Sequence, residues 1–205
     1  MKLPFKKLPL PALGYLMIIR KATPADAEAI ATHLLLAMED IIFRLIGEAD
    51  SAKAKNFLLH FTQQENNQYS YENCWVGQID NDVIATVNIY NGAELHALRQ
   101  PVLNYLKLHY NRQLQPEDET GPGEFYIDTL GVSPHMQGRG VGAKMLQLVI
   151  DEFVTTRKKT VGLLVEPGNV RAKKLFERLG FKPVGIKTLL GKQLDHLQIV
   201  VNRSL

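Results

Sequence analysis

Residues 123–152 read GEFYIDTLGVSPHMQGRGVGAKMLQLVIDE, and how this stretch is parsed decides the fold. Phe125, Tyr126, Ile127, Thr129 and Val132 favour a pleated, half-buried backbone, so the stretch opens as a strand. Ser133 and Pro134 end it, because proline has no N–H to donate and its φ is fixed. A turn with three glycines follows, Gln137-Gly-Arg-Gly-Val-Gly142. From there Val141, Met145, Leu148, Val149 and Phe153 recur with the period of one helix face. Strand, glycine turn and helix start together aim unpaired N–H groups and the positive end of the helix dipole at one point. An anion belongs there, most often a phosphate.

Two familiar phosphate loops do not fit. A P-loop requires Gly-x4-Gly-Lys-Ser/Thr, and no glycine pair here leads into Lys-Ser/Thr. For a dinucleotide turn, Gly138, Gly140 and Ala143 formally match G-x-G-x-x-A, with Glu166 near the end of the next apolar run. Five residues including Pro134 nevertheless separate Val132 from Gly138, whereas that turn follows its strand almost at once. The chain beyond Glu166 also holds about two further strands, too few for a doubly wound domain.

The pattern Gln137-x-x-Gly140-x-Gly142 resembles the Q/R-x-x-G-x-G/A pyrophosphate loop of the GNAT acyltransferase superfamily. Its surroundings resemble that family as well. Leu130-Gly131-Val132-Ser133-Pro134 looks like the approach to the loop. Asn169-x-x-Ala172-x-x-Leu175-Phe176-x-x-Leu179-Gly180-Phe181 looks like the second motif, and Ile19 to Asp26 like the usual opening. The resemblance spans about Met17 to Leu205 and is weakest in the middle. It implies an α/β (α+β) GNAT fold: one domain, a mixed sheet of six to seven strands, and helices on both faces.

Composition agrees with one globular domain: 205 residues, 45% hydrophobic and 22% charged. The single cysteine, Cys74, allows no internal disulfide and suits a reducing, cytoplasmic setting. It lies in an apolar run, which reads as a buried structural thiol. No stretch is long and apolar enough to span a membrane, and a net charge of +3 does not by itself point to nucleic acid. Residues 1–16 read as a flexible leader, with Lys2, Lys6 and Lys7 among Pro4, Pro9 and Pro11. Met17 is the expected native start, since the resemblance begins there; an intact mass from the native host tests this.

Along the chain, residues 16–21 read as a strand, and Thr23-Pro24 opens a helix carrying Ala27, Ile30, Ala31 and Leu34. A second helix is expected over residues 51–64. Residues 73–79 and 83–90 read as a hairpin turning at Asp80-Asn81-Asp82, which lacks the glycine and distal glutamate of a calcium loop. Residues 92–123 read as an insertion with a helix over 94–110, in which Pro101 marks a kink. Its acidic run, Glu117-Asp118-Glu119, reads as solvated or, less often, as a lure for a cationic amine. Strands at 160–165, 184–187 and 194–201 and a helix over 169–179 complete the chain. The six histidines show no metal-ligand spacing.

The resemblance implies transfer of an acetyl group from acetyl-CoA (coenzyme A as co-substrate, no metal) to an amine by direct attack in a ternary complex. Gln137, Gly138, Arg139, Gly140, Val141 and Gly142 would hold the pyrophosphate, and Leu130 and Val132 the thioester and pantetheine. Asn169 would contact the coenzyme near the end of the fifth strand. Gly131 suits the bulge at which the family's fourth strand splays from the fifth. An amine of pKa near 10.4 costs roughly 4 kcal/mol to deprotonate at pH 7.5, so a general base is useful. If alternation holds, Glu124, Tyr126, Asp128, Leu130 and Val132 share one face. Asp128 is then the first candidate base, Glu124 the second, and Tyr126 positions the acceptor. Phe176 stands where the family usually has the tyrosine presumed to protonate the departing thiolate, which leaves that role to Tyr126 or water. The alternative is a GNAT-like module that binds an acyl-CoA without turnover. Terminal strands in this fold can also pair two copies into a homodimer.

Overall fold

The computed structural model describes residues 17–201; the leader expected over residues 1–16 lies outside the described residues. Seven strands form one sheet in the order β1-β2-β3-β4-β5-β7-β6. They are β1 Ile18–Lys21, β2 Cys74–Ile79, β3 Asp82–Asn91, β4 Glu124–Val132, β5 Thr160–Val165, β6 Lys182–Leu189 and β7 Lys192–Ile199. Only β4 and β5 run parallel; the other neighbours are antiparallel. Helices α1 (Ala27–Ile46), α2 (Ser51–Thr62) and α3 (Leu95–Tyr110) share one core against the sheet, built on Leu34, Ile42, Phe57, Phe61, Val76 and Val102. Helices α4 (Val141–Val149) and α5 (Val170–Arg178) pack Met145, Val149 and Phe176 onto the other face, against Val87, Ile127 and Leu163. Phe57 and Phe61 are almost wholly buried, each contributing about 2–3 kcal/mol. The expected mixed sheet with helices on both faces is the architecture found.

The opening residues act as a clasp. Asp26 accepts from Arg20 Nη1 at 2.7 Å and Nη2 at 2.8 Å, and from the Thr23 amide at 2.8 Å. The Arg20 hydrogen bonds hold its carboxyl down at about 2. Strand β1 is thereby tied to the start of α1, which begins at Ala27 after a single 3-10 turn, Pro24–Asp26. Helix α1 then kinks at Met38, whose φ of −137° and ψ of 27° leave the helical range.

Two helices differ from expectation. Past Val149 the α4 ladder widens into a π-helix, Ile150–Thr156, which turns Ile150, Phe153 and Val154 inward. Leu146 is buried on α4, whereas Leu148 is only partly so. Pro101 lies within α3, which runs unbroken from Leu95 to Tyr110. Cys74 is buried and free, as its apolar run implied.

Candidate active site

Strand β4 pairs with β5 only from Glu124 to Ile127, against Thr160 to Leu163. Past Ile127 the two strands part, and that edge of β4 has no ladder partner among the described residues. On its other edge β4 pairs with β3, and the register slips between Asn88 (opposite Thr129) and Ile89 (opposite Ile127). Asp128 is the extra residue, so the bulge lies at Asp128-Thr129. Gly131 is in regular register with Thr86, which corrects its reading as the bulge residue. A Cβ at Gly131 would strike the His33 carbonyl; glycine is there because α1 crosses β4 in close contact.

The bulge also overturns strict alternation. Ile127 belongs to the core beneath α4, with Phe125 packed against it. One residue of slip later, Leu130 and Val132 are on that same side, lining the cleft beside α4 and α5. Tyr126 and Asp128 face the other way, toward the elements of the α1–α3 layer. Five residues expected on one face are thus divided between two.

The cleft on the α4–α5 side has a volume of about 550 Å³. Leu130 and Val132 wall one side, and Gln137, Gly138, Gly140, Val141 and Gly142 the end. Gly138 and Gly140 have φ of +78° and +81°, a region that disfavours any side chain, and Gly140 caps α4. The N–H groups of Gly138, Arg139 and Gly140 have no backbone partner among the described residues. With the first-turn amides of α4 they form an anion-binding end. Gln137 closes the preceding turn by donating to the Val132 carbonyl at 3.1 Å. Asn169 lines the cleft and caps α5, accepting from the Ala172 amide at 3.1 Å. Arg139 is exposed and stands outside the cleft wall.

Sequence reasoning missed the opposite wall. Arg171, Lys174 and Arg178 of α5 line the cleft, and their spacing of three and four was a readable signal for one helix face. None has a carboxylate partner among the described residues, whereas the neighbouring Lys173, on another side of α5, pairs with Asp195 at 2.5 Å. The cleft therefore combines free amides, a helix N-terminus and three uncommitted cations, which fits a polyphosphate.

Across the sheet, Asp128 lines a small pocket with Met38, Leu45, Tyr69, Leu103 and Leu189. Burial here raises its carboxyl to about 7, opposed by a hydrogen bond from Gln68 and the charge of Arg99, both of which also line the pocket. At neutral pH such a group both takes and releases a proton. Tyr126 is buried against Tyr90 with ring centroids 5.8 Å apart. Burial and the nearby Asp128 and Glu124 hold its hydroxyl well above the ordinary tyrosine value.

Glu124 is in a different situation. Its carboxylate accepts from Thr120 Oγ1 at 2.7 Å and Gln198 Nε2 at 2.7 Å, and contacts His196 Nε2 at 3.0 Å. It occupies the space a Cβ at Gly162 would need. Burial pushes its pKa up, but these hydrogen bonds outweigh that and leave it lowered. Glu124 joins β4 to β5 and β7 as a structural fastening. Phe176 is buried with its ring 5.9 Å from that of Phe181, an ordinary core contact.

Comparison with known proteins converges on one group. Residues 48–181 match the sequence profile of the acetyltransferase (GNAT) family. A mycothiol acetyltransferase of Beutenbergia cavernae is 37% identical over 73 residues, 36% of this chain and 24% of that protein. The N-alpha-acetyltransferase RimI of Mycobacterium tuberculosis is 37% identical over 68 residues, 33% of this chain and 41% of that protein. The chain thus spans well under half the length of these curated relatives. A crystal structure of an acetyltransferase superposes with a TM-score of 0.74 at 28% identity, covering 90% of this chain and all of the other.

Proposed function

Because this chain belongs to the acetyltransferase (GNAT) family, we propose that it transfers an acetyl group from acetyl-CoA to a primary amine, with Asp128 as general base. The observation that supports this best is the division of β4. A phosphate-fitting cleft lies on one side of the strand and a proton-exchanging carboxyl on the other, at the point where β4 leaves β5.

The coenzyme supplies the acetyl thioester; the chain's own groups do the rest. The amides from Gly138 to Gly142 hold the pyrophosphate, and the unpaired edge of β4 holds the pantetheine arm. The Leu130 N–H polarises the thioester carbonyl. The acceptor, an ammonium at neutral pH, approaches from the Asp128 side and loses one proton to that carboxylate, while the second proton, released as the amide forms, passes to water. The nitrogen lone pair forms the N–C bond as the C–S bond breaks and the thiolate leaves. A thiol pKa near 8.5 makes that departure tolerable without an acid in place of Phe176. Non-catalytic acyl-CoA binding gains nothing from Phe176, which the core accounts for.

Calorimetric titration with acetyl-CoA, NADH and ATP tests the reading. Acetyl-CoA binds and NADH does not, and Gly140→Trp weakens binding at least tenfold, because the indole fills the anion end and φ there is +81°. Coenzyme binding untouched by Gly140→Trp rules the cleft out. The cations of α5 give a second expectation. Replacing Lys174 and Arg178 together by glutamine weakens acetyl-CoA roughly tenfold at low ionic strength and much less in about 0.5 M salt, since exposed charges are screened there. Titrations at both salt concentrations check this.

A further inference from the structure

The acidic run that reads as solvated is built inward at its end. Glu119 is 2% exposed and its partner Arg99, from α3, is 6% exposed. Arg99 pairs with the Glu119 carboxylate, contacts Asp118 Oδ1 at 3.2 Å, and donates to the carbonyls of Pro116 at 3.2 Å and Glu117 at 3.1 Å. A buried ion pair is a poor source of stability, because desolvating the two ions costs several kcal/mol apiece. This one, however, fixes a third group. Gln68 Nε2 donates to Glu119 Oε1 at 2.7 Å, and the Tyr90 hydroxyl donates to the same oxygen at 3.2 Å. An ionised carboxylate only accepts, so the Gln68 amide must present its nitrogen to Glu119. That nitrogen has a second N–H, which is shared between the Tyr90 hydroxyl oxygen at 3.2 Å and Asp128 Oδ2 at 3.5 Å.

We propose that Gln68 is a positioning residue for Asp128, locked in place by the Arg99–Glu119 pair, and that residues 92–123 exist in part to supply this lock. The inference rests on Asp128 being the proton acceptor. The amide steers one carboxylate oxygen and favours the ionised form, and the positive charge of Arg99 acts in the same sense. The other titratable groups around Asp128 are Tyr69, Tyr90, Tyr126 and Cys74, each raised by burial and so neutral at pH 7. Arg99 and the acids it pairs with, Glu119 and Asp118, are therefore the charges that matter. The α1 wall contributes Met38, Ile41 and Leu45, which carry none.

Carbon-13 NMR of the full chain, labelled at the aspartate carboxyls, reads this without knowledge of the acceptor. In the wild type one signal titrates with a midpoint near 7, and Asp128→Asn removes it. In Gln68→Leu that midpoint rises by about tenfold in proton affinity, while the far-UV spectrum and thermal transition persist. Gln68→Met, which keeps the side-chain length and removes both N–H groups without adding charge, shifts it in the same direction and carries the test should the leucine variant not fold. An Asp128 signal that stays within about twofold in proton affinity in the folded variants overturns the positioning role. A wild-type spectrum in which Asp128 titrates among the ordinary aspartates defeats the proton-acceptor reading, and this inference with it. That outcome is seen before any change at residue 68, so the two failures are distinct.

Discussion

Asp128→Asn lowers kcat for amine acetylation by roughly 10²–10⁴-fold, the usual contribution of a positioned general base, and leaves the KM for acetyl-CoA nearly unchanged. The cleft proposed for the coenzyme is on the other side of β4, and the asparagine retains the shape of the aspartate. In the wild type, kcat/KM falls as pH drops below about 7, where Asp128 takes up its proton. The same substitution acts on stability in the opposite sense. Asp128 has a folded-state pKa of about 7 against an ordinary value of 3.8, so the folded state binds the proton more tightly. Stability is fullest below the unfolded value and is lost as pH rises from about 4 to 7. The asparagine variant has no such loss. Asp128→Asn therefore stabilises the fold at pH 8 by on the order of 2 kcal/mol, discounted for partial exposure, and has little effect at pH 4. Initial rates across an amine panel, with denaturant unfolding at both pH values, check the two halves. An unaltered rate with the best acceptor would remove Asp128 from the mechanism.

Gly131→Ala destabilises the fold by about 3 kcal/mol or more, toward the upper end for overpacking. The added Cβ meets the carbonyl oxygen and carbon of His33, backbone atoms with no rotamer by which to move aside. Nor can α1 easily back away. His33 is pinned through Nδ1 to Thr86 Oγ1 and through Nε2 to Ser133 Oγ, both at 2.9 Å. Burial, with His135 nearby, lowers its pKa to about 4, so it stays neutral at the pH of the measurement. In a domain of this size the loss corresponds to a fall in Tm of roughly 6–12 °C. Gly185→Ala is the comparison: nothing lies within 4 Å of its added Cβ, and Tm changes by about 1 °C or less. Equal melting of the two variants would refute the close-crossing account of Gly131.

Much of this is legible from local patterns. The glycine turn, the strand before it and the helix after it announce themselves in consecutive residues, and the phosphate-fitting cleft is formed there. Division of β4 between the Asp128 pocket and the cleft beside α4 and α5 is not legible. A bulge in β4 is a property of its pairing with β3, and nothing in Tyr126-Ile127-Asp128-Thr129 marks the slip. Glu119 looks like a surface acid because Arg99, which draws it inward, is 20 residues earlier on another element. Glu124 resembles a candidate general base until Gly162, His196 and Gln198, remote in sequence, close around it. Gly131 stands out in the sequence as a site of special backbone, but the neighbour that requires it is α1, which only the fold brings there.

The hairpin between β6 and β7 has a tip that is tethered from several sides. The Leu190 N–H donates to Glu117 Oε2 at 2.8 Å, and its carbonyl accepts from Arg44 of α1 at 3.3 Å. Lys192 reaches Asp40, also on α1, at 2.7 Å. Leu189 and Leu190 are at the same time part of the wall around Asp128. In mechanical terms the outer edge of the sheet is a strut braced against the chamber it encloses. On the acetyl-transfer reading proposed above, a bulky acceptor would strain those tethers before seating its nitrogen, and discrimination among amines would reside partly in stiffness. Selectivity of that kind is adjusted from the rim of the molecule, with the chemistry at its centre left alone.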